Sequence, residues 1–369
     1  MPTDVYYIGL MSGTSLDGID ACLAQFDSNG QPRVVATKSQ PWPSDIRKRL
    51  TALILQENNA IDELLELDHL CAHQFAAAAN AVLSEASMQS GEITAIGSHG
   101  QTVRHVPNQQ PAYSLQIGNP NRIAELTGIT TVADFRNRDI AAGGQGAPLA
   151  PVFHQAVFAD ANEKRVVLNL GGIANITILD GDKVSGFDTG PANRLMDDWY
   201  QRHFHKSYDE DGRLAQSGQV NQPLLNALLG NDYFRLPAPK STGSDYFNLA
   251  WLDRYLQQWL DETAENVQAT LSMLTAQSIS DAINQAASDC QRILVCGGGV
   301  HNKHLMHNLA KLNPHIPVQS SENFGVAPDW VEAIAFAWLA RQTLLGRAGN
   351  NPAVTGAQGF RILGGIYPA

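Results

Sequence analysis

Residues 12–20 carry the densest run of reactive side chains in the chain: Ser12-Gly13-Thr14-Ser15-Leu16-Asp17-Gly18-Ile19-Asp20. Three hydroxyls supply short donors. Gly13 and Gly18 let the backbone turn tightly and bring its N–H groups close to a ligand. Asp17 and Asp20 are carboxylates able to hold a hydrated divalent cation. The combination suits a nucleotide's phosphates, and equally an ordinary Gly-Ser hairpin turn. It is not a Walker A loop, because no Gly-Lys-Ser/Thr follows and no helix opens directly after it. Similar stretches recur. Gly171-Gly172 joins two apolar runs that carry Asn169 and Asn175, and Gly297-Gly298-Gly299 follows the apolar run 292–296. Glycine at the latter lets a flat base lie against the backbone, and a following helix N-terminus can face a phosphate.

The candidate acids and bases lie elsewhere. Asp188 ends the strand-like run 183–187 at a Gly190-Pro191 turn, which fixes a carboxylate at a sheet's edge or simply caps the turn. Glu332 is the only carboxylate between Val331 and Ala340, an otherwise apolar run. A carboxylate there is costly unless it is partnered, functional, or in the first helical turn, and all three readings stay open. Ser98-His99-Gly100-Gln101-Thr102-Val103-Arg104-His105 follows the apolar run 93–97. Polar residues just past a strand's C-terminal end are where open α/β sheets place ligand contacts. The run 131–136 ends in Asp134 and Arg136. His69 and His73 stand four apart without the glutamate of His-Glu-x-x-His, so core or surface histidines are the better reading. His301, His304 and His307 read as a helical surface stripe.

The elements that must position these residues follow from periodicity. Strands are expected at 5–10, 19–26 and 33–37, an early β-meander, then helices at 44–56 and 61–87. Strands at 93–97, 114–117 and 131–136 follow, with a short helix at 121–127. The Gly-rich 141–147 is either a mobile loop or a plain linker. The meander then restarts: strands at 165–170, 173–179 and 183–187, and a helix at 194–203. Connecting loops at 212–218 and 236–248, helices at 251–260 and 266–288, a strand at 292–296, a helix at 331–345 and a strand within 359–367 complete it. Two domains are expected, 1–148 with 350–369, and 149–349, since 369 residues exceed one ordinary core. Composition is that of a globular protein, 44% hydrophobic and 17% charged, and the net charge of −11 argues against nucleic-acid or anionic-membrane binding. Met1-Pro2-Thr3-Asp4 shows no basic leader, apolar runs fall short of the ~18 residues of a membrane helix, and Cys22, Cys71, Cys290 and Cys296 look like buried free thiols. A cytoplasmic location is expected.

Two meander-then-helix halves, each opening with a Gly-turned hairpin, resemble the actin/hexokinase/Hsp70-type ATPases: α/β, two ribonuclease-H-like domains with ATP bound in the cleft between them. Met11 to Asp20, Gly97 to Thr102, Asn169 to Asn175, Phe187 to Pro191, Cys296 to Asn302, Ala327-Pro328-Asp329 and Val331-Glu332-Ala333 closely resemble the anhydro-N-acetylmuramic acid kinases of bacterial cell-wall recycling, in family order over nearly the whole chain. The resemblance implies cleavage of the sugar's 1,6-anhydro bond by water and phosphorylation of O6 from ATP. It implies cofactor contacts at Ser12, Gly13, Thr14, Ser15, Leu16, Asp17, Gly18, Ile19, Gly171, Gly172, Asn175, Gly297, Gly298, Gly299 and Asn302. Asp17 would face Mg²⁺ through water, His99, Gln101, Asp134 and Arg136 would bind the sugar, Asp188 would be the base and Glu332 would orient the water. ATP and an anhydro amino sugar are the expected partners, with no nucleic acid, no membrane, and a homodimer left open. Another sugar kinase of the superfamily, or a non-catalytic actin-like ATP-binding protein, would share these loops.

Overall fold

The computed structural model describes residues 5–56 and 60–369; the opening Met1–Asp4 lies outside them. The chain divides into two compact units, residues 1–157 with 330–369, and residues 158–329. The sequence-based borders stood at 148/149 and 349/350, so helix 331–344 falls in the first unit instead of the second.

In the first unit, β1 (Val5–Ser12), β2 (Gly18–Phe26) and β3 (Pro32–Pro41) form an antiparallel meander, followed by β4 (Ile93–Val106), β5 (Tyr113–Ile117) and β6 (Thr131–Ala133). β4 pairs parallel with β1 and with β6, while the C-terminal half of β4 turns away to pair antiparallel with β5. The final strand, Gly365–Tyr367, adds antiparallel to β6. The resulting order along the main path is final strand, β6, β4, β1, β2, β3. A three-strand meander followed by parallel strands on its β1 side is the ribonuclease-H-like arrangement the two-hairpin pattern led us to expect.

Alternation along β1 and β4 sends Ile8, Leu10 and Ile96 into a core with Phe75, Ala79 and Val82 of helix Ile61–Ala86. Gly9 and Gly97, partners across the β1/β4 register, face the opposite way. There helix Val331–Leu344 lies so close that a Cβ on Gly9 would stand 1.7 Å from the Ala333 carbonyl oxygen, and one on Gly97 2.0 Å from that of Phe336. Only glycine admits that approach. It explains why the helix is Ala-rich and buried on nearly all sides, and it anchors the first turn, where Glu332 stands.

The second unit repeats the plan with β7 (Arg165–Leu170), β8 (Ile173–Asp180), β9 (Lys183–Pro191), β10 (Arg292–Cys296) and β11 (Val318–Ser320), in the order β11, β10, β7, β8, β9. With β12 the remaining label for Gly365–Tyr367, both sheets share the meander-plus-parallel topology. Val166, Leu168, Leu271, Ile279 and Trp251 lead its core. Helix Ala264–Ala286 runs through that core with fourteen buried positions. Besides the domain borders, further readings differ from expectation: the strand expected at 131–136 ends at Ala133, which leaves Asp134 and Arg136 beyond it. The 98–105 stretch is not a loop past a strand, because β4 runs through it to Val106. The 212–218 connection is helical, with Arg213–Ser217 forming a short helix. All four cysteines are buried, and among the described residues none is in a disulfide and no helix is long and apolar enough to cross a membrane.

Candidate active site

The β1–β2 turn is built from the inside out. Leu16 takes a left-handed backbone conformation, φ 56°, and its side chain enters the core. Ile19 is buried on β2 as well, so both residues meet a ligand only through their backbone. Thr14, Ser15 and Asp17 are left exposed. Ser12 is buried, its hydroxyl donating to Gly18 O (2.8 Å) and accepting from Trp42 Nε1 (3.0 Å). Gln101 braces the same turn from β4, donating from Nε2 to Gly13 O at 3.3 Å. The expected cradle residues therefore divide into a scaffold (Ser12, Leu16, Gly18, Ile19, with Gln101 behind) and a displayed set (Gly13, Thr14, Ser15, Asp17).

Beside this turn the first unit gathers its charged side chains. His99, buried on β4, accepts at Nε2 from Arg136 Nε (3.1 Å) and Nη2 (2.8 Å). That fixes the neutral tautomer with the proton on Nδ1. Burial, and then the Arg136 guanidinium, hold the His99 pKa well below its ordinary value. Burial likewise brings Arg136 down to about 10, opposed by Glu332. Glu332 retains solvent access. Desolvation raises its carboxyl above the ordinary value, with Arg136 opposing and Asp20 reinforcing. Asp134 follows β6 at φ 60° and accepts from Asn137 Nδ2 at 2.7 Å. Burial raises its pKa. A cavity of about 230 Å³ opens here, lined by Ser98, His99, Gln116, Asp134, Asn137 and Tyr367 among others. Of the four sugar-binding candidates, His99 and Asp134 line it, Arg136 holds His99, and Gln101 supports the turn.

In the second unit, β-pairing sets Cys296, Asn169, Asn175 and Asp188 in one row across β10, β7, β8 and β9. Asp188 ends the row, half-buried. Its Oδ2 accepts from Thr242 N (2.9 Å) and Ser241 Oγ (3.1 Å); no hydrogen bond falls on Oδ1 among the described residues. The backbone is held too. Asp188 N donates to Lys240 O (3.0 Å), and Tyr233 Oη donates to Asp188 O (2.7 Å). Burial raises the Asp188 pKa, against the lowering pull of Thr242 and Ser241. A carboxylate gripped at one oxygen and open at the other is poised to take a proton.

The β7–β8 turn is fixed by its carbonyls, Gly171 O accepting from Asn193 N and Gly172 O from Ala192 N, both at 3.1 Å. Of the three consecutive glycines, Gly297 and Gly299 are packing positions. A Cβ on Gly297 would stand 2.5 Å from Asn169 Oδ1, and one on Gly299 2.6 Å from Leu170 Cβ, whereas Gly298 faces open space. Asn302 caps helix Lys303–Leu312, its Oδ1 accepting from Leu305 N. His301 pairs with Asp329 at 2.8 Å on the surface. Sequence reasoning passed over Ser241, Thr242 and Tyr233, which lie in or beside a stretch that read as a connecting loop. The Pro-Lys-Ser-Thr-Gly run carries no chemical pattern of its own.

The family model for anhydro-N-acetylmuramic acid kinase matches residues 5–369. The Xanthomonas axonopodis pv. citri protein of that name is 52% identical over 367 residues, covering 98% of this chain and 98% of that protein. The Xylella fastidiosa protein is 50% identical, covering 98% and 96%. The Shewanella pealeana protein is 49% identical, covering 99% of each.

Proposed function

The chain belongs to the anhydro-N-acetylmuramic acid kinase family, and from that premise we propose that it opens the anhydro ring with water and transfers the γ-phosphoryl group of ATP to O6. It is a kinase acting on an anhydro amino sugar of cell-wall recycling and using ATP. The products of the proposed reaction are N-acetylmuramate 6-phosphate and ADP.

Asp188 takes a proton from water, and the water oxygen bonds to the anomeric carbon as the bond from that carbon to O6 breaks. The departing O6 attacks the γ-phosphorus and ADP leaves. No separate acid is needed, because the phosphoryl group takes the place a proton would fill. His99, Asp134 and Arg136 bind the sugar, with Gln101 keeping the neighbouring turn in place. Glu332 is assigned to the reacting water as a hydrogen-bond acceptor. Thr14, Ser15 and the backbone of 13–17, with Gly171, Gly172, Asn175 and Gly298, receive the nucleotide. Asp17 would hold Mg²⁺ through water. The residues present fit such an ion: the exposed turn offers oxygen donors only. Among the described residues no group of three or more His, Cys, Asp and Glu could cage a metal, which suits a cation shared with phosphates. Bound there, Mg²⁺ would spread the charge of the transferred phosphoryl group.

The observation that carries this reading is the one-sided grip on Asp188. A 1,6-anhydro sugar has no free O6 hydroxyl to deprotonate, so a base beside it serves water. The test is ADP release from ATP with and without the anhydro sugar. Turnover requires the sugar, and Asp188→Asn lowers kcat by ~10²–10⁴ while ATP affinity stays near its original value. Release without sugar, or transfer to N-acetylglucosamine in its place, would refute the proposal.

A further inference from the structure

Asp139 has no exposed surface and belongs to none of the motifs above. Both its carboxylate oxygens are engaged. Oδ1 accepts from Asn350 Nδ2 (2.7 Å) and Thr355 Oγ1 (2.8 Å), and Oδ2 from Gly146 N (2.8 Å). Its carbonyl accepts from Gly144 N at 3.0 Å. A Cβ on Gly144 would stand 2.2 Å from Oδ2, so glycine there is what lets the loop close on the carboxylate. The C-terminal segment grips the same loop from its other side, Gln145 N donating to Thr355 O (2.8 Å) and Gln358 N to Ala142 O (2.7 Å). The Gly-rich stretch is thus neither a mobile loop nor a plain linker. It is a pinned one.

What the pinned loop holds is Arg136. The Gly146 carbonyl that rides on this grip accepts from Arg136 Nη1 at 2.8 Å. The guanidinium's other edge, Nε and Nη2, meets His99 Nε2. A continuous series therefore runs from Thr355 and Asn350 through Asp139 and Gly146 to Arg136 and His99. We infer that Asp139 is a positioning residue for sugar binding: it fixes the glycine-rich loop, through Gly146 it aims Arg136, and through Arg136 it holds His99 with its proton on Nδ1. This rests on the reading of His99 and Arg136 as sugar-binding residues. An Asn at 139 offers one acceptor oxygen where three donors converge and sets its own N–H₂ against one of them, so the loop loses part of its anchorage.

Four variants test this, Asp139→Asn, Thr355→Val, Arg136→Ala and the Asp139→Asn/Arg136→Ala pair, with steady-state kinetics for sugar and ATP and ¹⁵N NMR of the His99 ring. Asp139→Asn raises the sugar KM about tenfold, moves the ATP KM little, and adds little to Arg136→Ala in the pair. The His99 nitrogens lose the pattern of a fixed Nδ1–H tautomer. Thr355→Val, which removes one donor and leaves the carboxylate paired, shows the same changes at smaller size and decides the matter if Asp139→Asn fails to fold. Variants that melt earlier yet keep the original sugar KM and His99 tautomer would overturn the proposal, leaving Asp139 a stabilising residue only. If Arg136→Ala leaves the sugar KM unchanged, the sugar-binding role of Arg136 fails. The relay then stands or falls on whether Asp139→Asn alters the His99 tautomer.

Discussion

Alanine at Gly97 or Gly9 probes how closely the sheet of the first unit must approach the helix that carries Glu332. A Cβ at 97 would lie 2.0 Å from the Phe336 carbonyl oxygen and one at 9 would lie 1.7 Å from that of Ala333, while ordinary contact begins near 3.4 Å. Helix Val331–Leu344 would have to withdraw by about 1.4 Å for Gly97→Ala and about 1.7 Å for Gly9→Ala. The obstructing atoms are backbone, so no rotamer change relieves the clash. The cost belongs at or above the upper end of the ~1–3 kcal/mol of core overpacking. The same displacement shifts Glu332 in the first helical turn, and ~1 Å at a reacting group can cost about 10²-fold in rate. Urea unfolding monitored by far-UV circular dichroism gives the stability change, and kcat is measured on the folded fraction. Gly91→Ala, whose Cβ would meet nothing within 4 Å, is the control and should change stability by no more than ~0.5 kcal/mol. A Gly97→Ala protein with unaltered unfolding midpoint and unaltered kcat would refute the reasoning.

Other outcomes follow from the carboxylates. The Ser241 hydroxyl favours the charged form of Asp188 against the burial that raises its pKa. Ser241→Ala therefore raises that pKa further, keeps the base protonated to higher pH, and moves the acid limb of the kcat/KM profile upward; a limb that stays put or moves down would contradict this. Asp17→Asn leaves the unfolding midpoint near its original value and raises the KM for Mg-ATP, about tenfold at limiting Mg²⁺, whereas unchanged kinetics would remove Asp17 from the site. Chelation of divalent cations abolishes turnover, and turnover that persists under chelation would remove the metal from the reaction.

Much of the fold was legible because its signals are local. Gly-turned hairpins between apolar runs announced both meanders, and the apolar run after Val331 announced a helix, which the structure buries on nearly every side. The length of β4 was not legible. Ser98, His99 and Gln101 break its apolar run; Arg136 partners His99 and the Gly13 carbonyl accepts from Gln101 Nε2, while Ser98 Oγ is buried without a hydrogen-bond partner among the described residues. At Leu16 and Ile19 the side chains anchor the turn in the core and leave only the backbone to a ligand, a division of labour that residue types alone do not reveal. Asp139 and Ser241 were invisible for a related reason. Asp139 gains its place from residues more than two hundred positions away, Asn350 and Thr355. Ser241 reaches Asp188 across 53 positions. No periodicity records such contacts.

The central claim is that Asp188 delivers water to the anomeric carbon while O6 takes the phosphoryl group. Turnover in ¹⁸O-labelled water tests it most directly. One label per turnover should appear on O1 of the N-acetylmuramate 6-phosphate, with inversion at that carbon and none in the phosphate. Label in the phosphate, with O1 unlabelled, would mean that water attacks phosphorus, and the role given to Asp188 would be wrong.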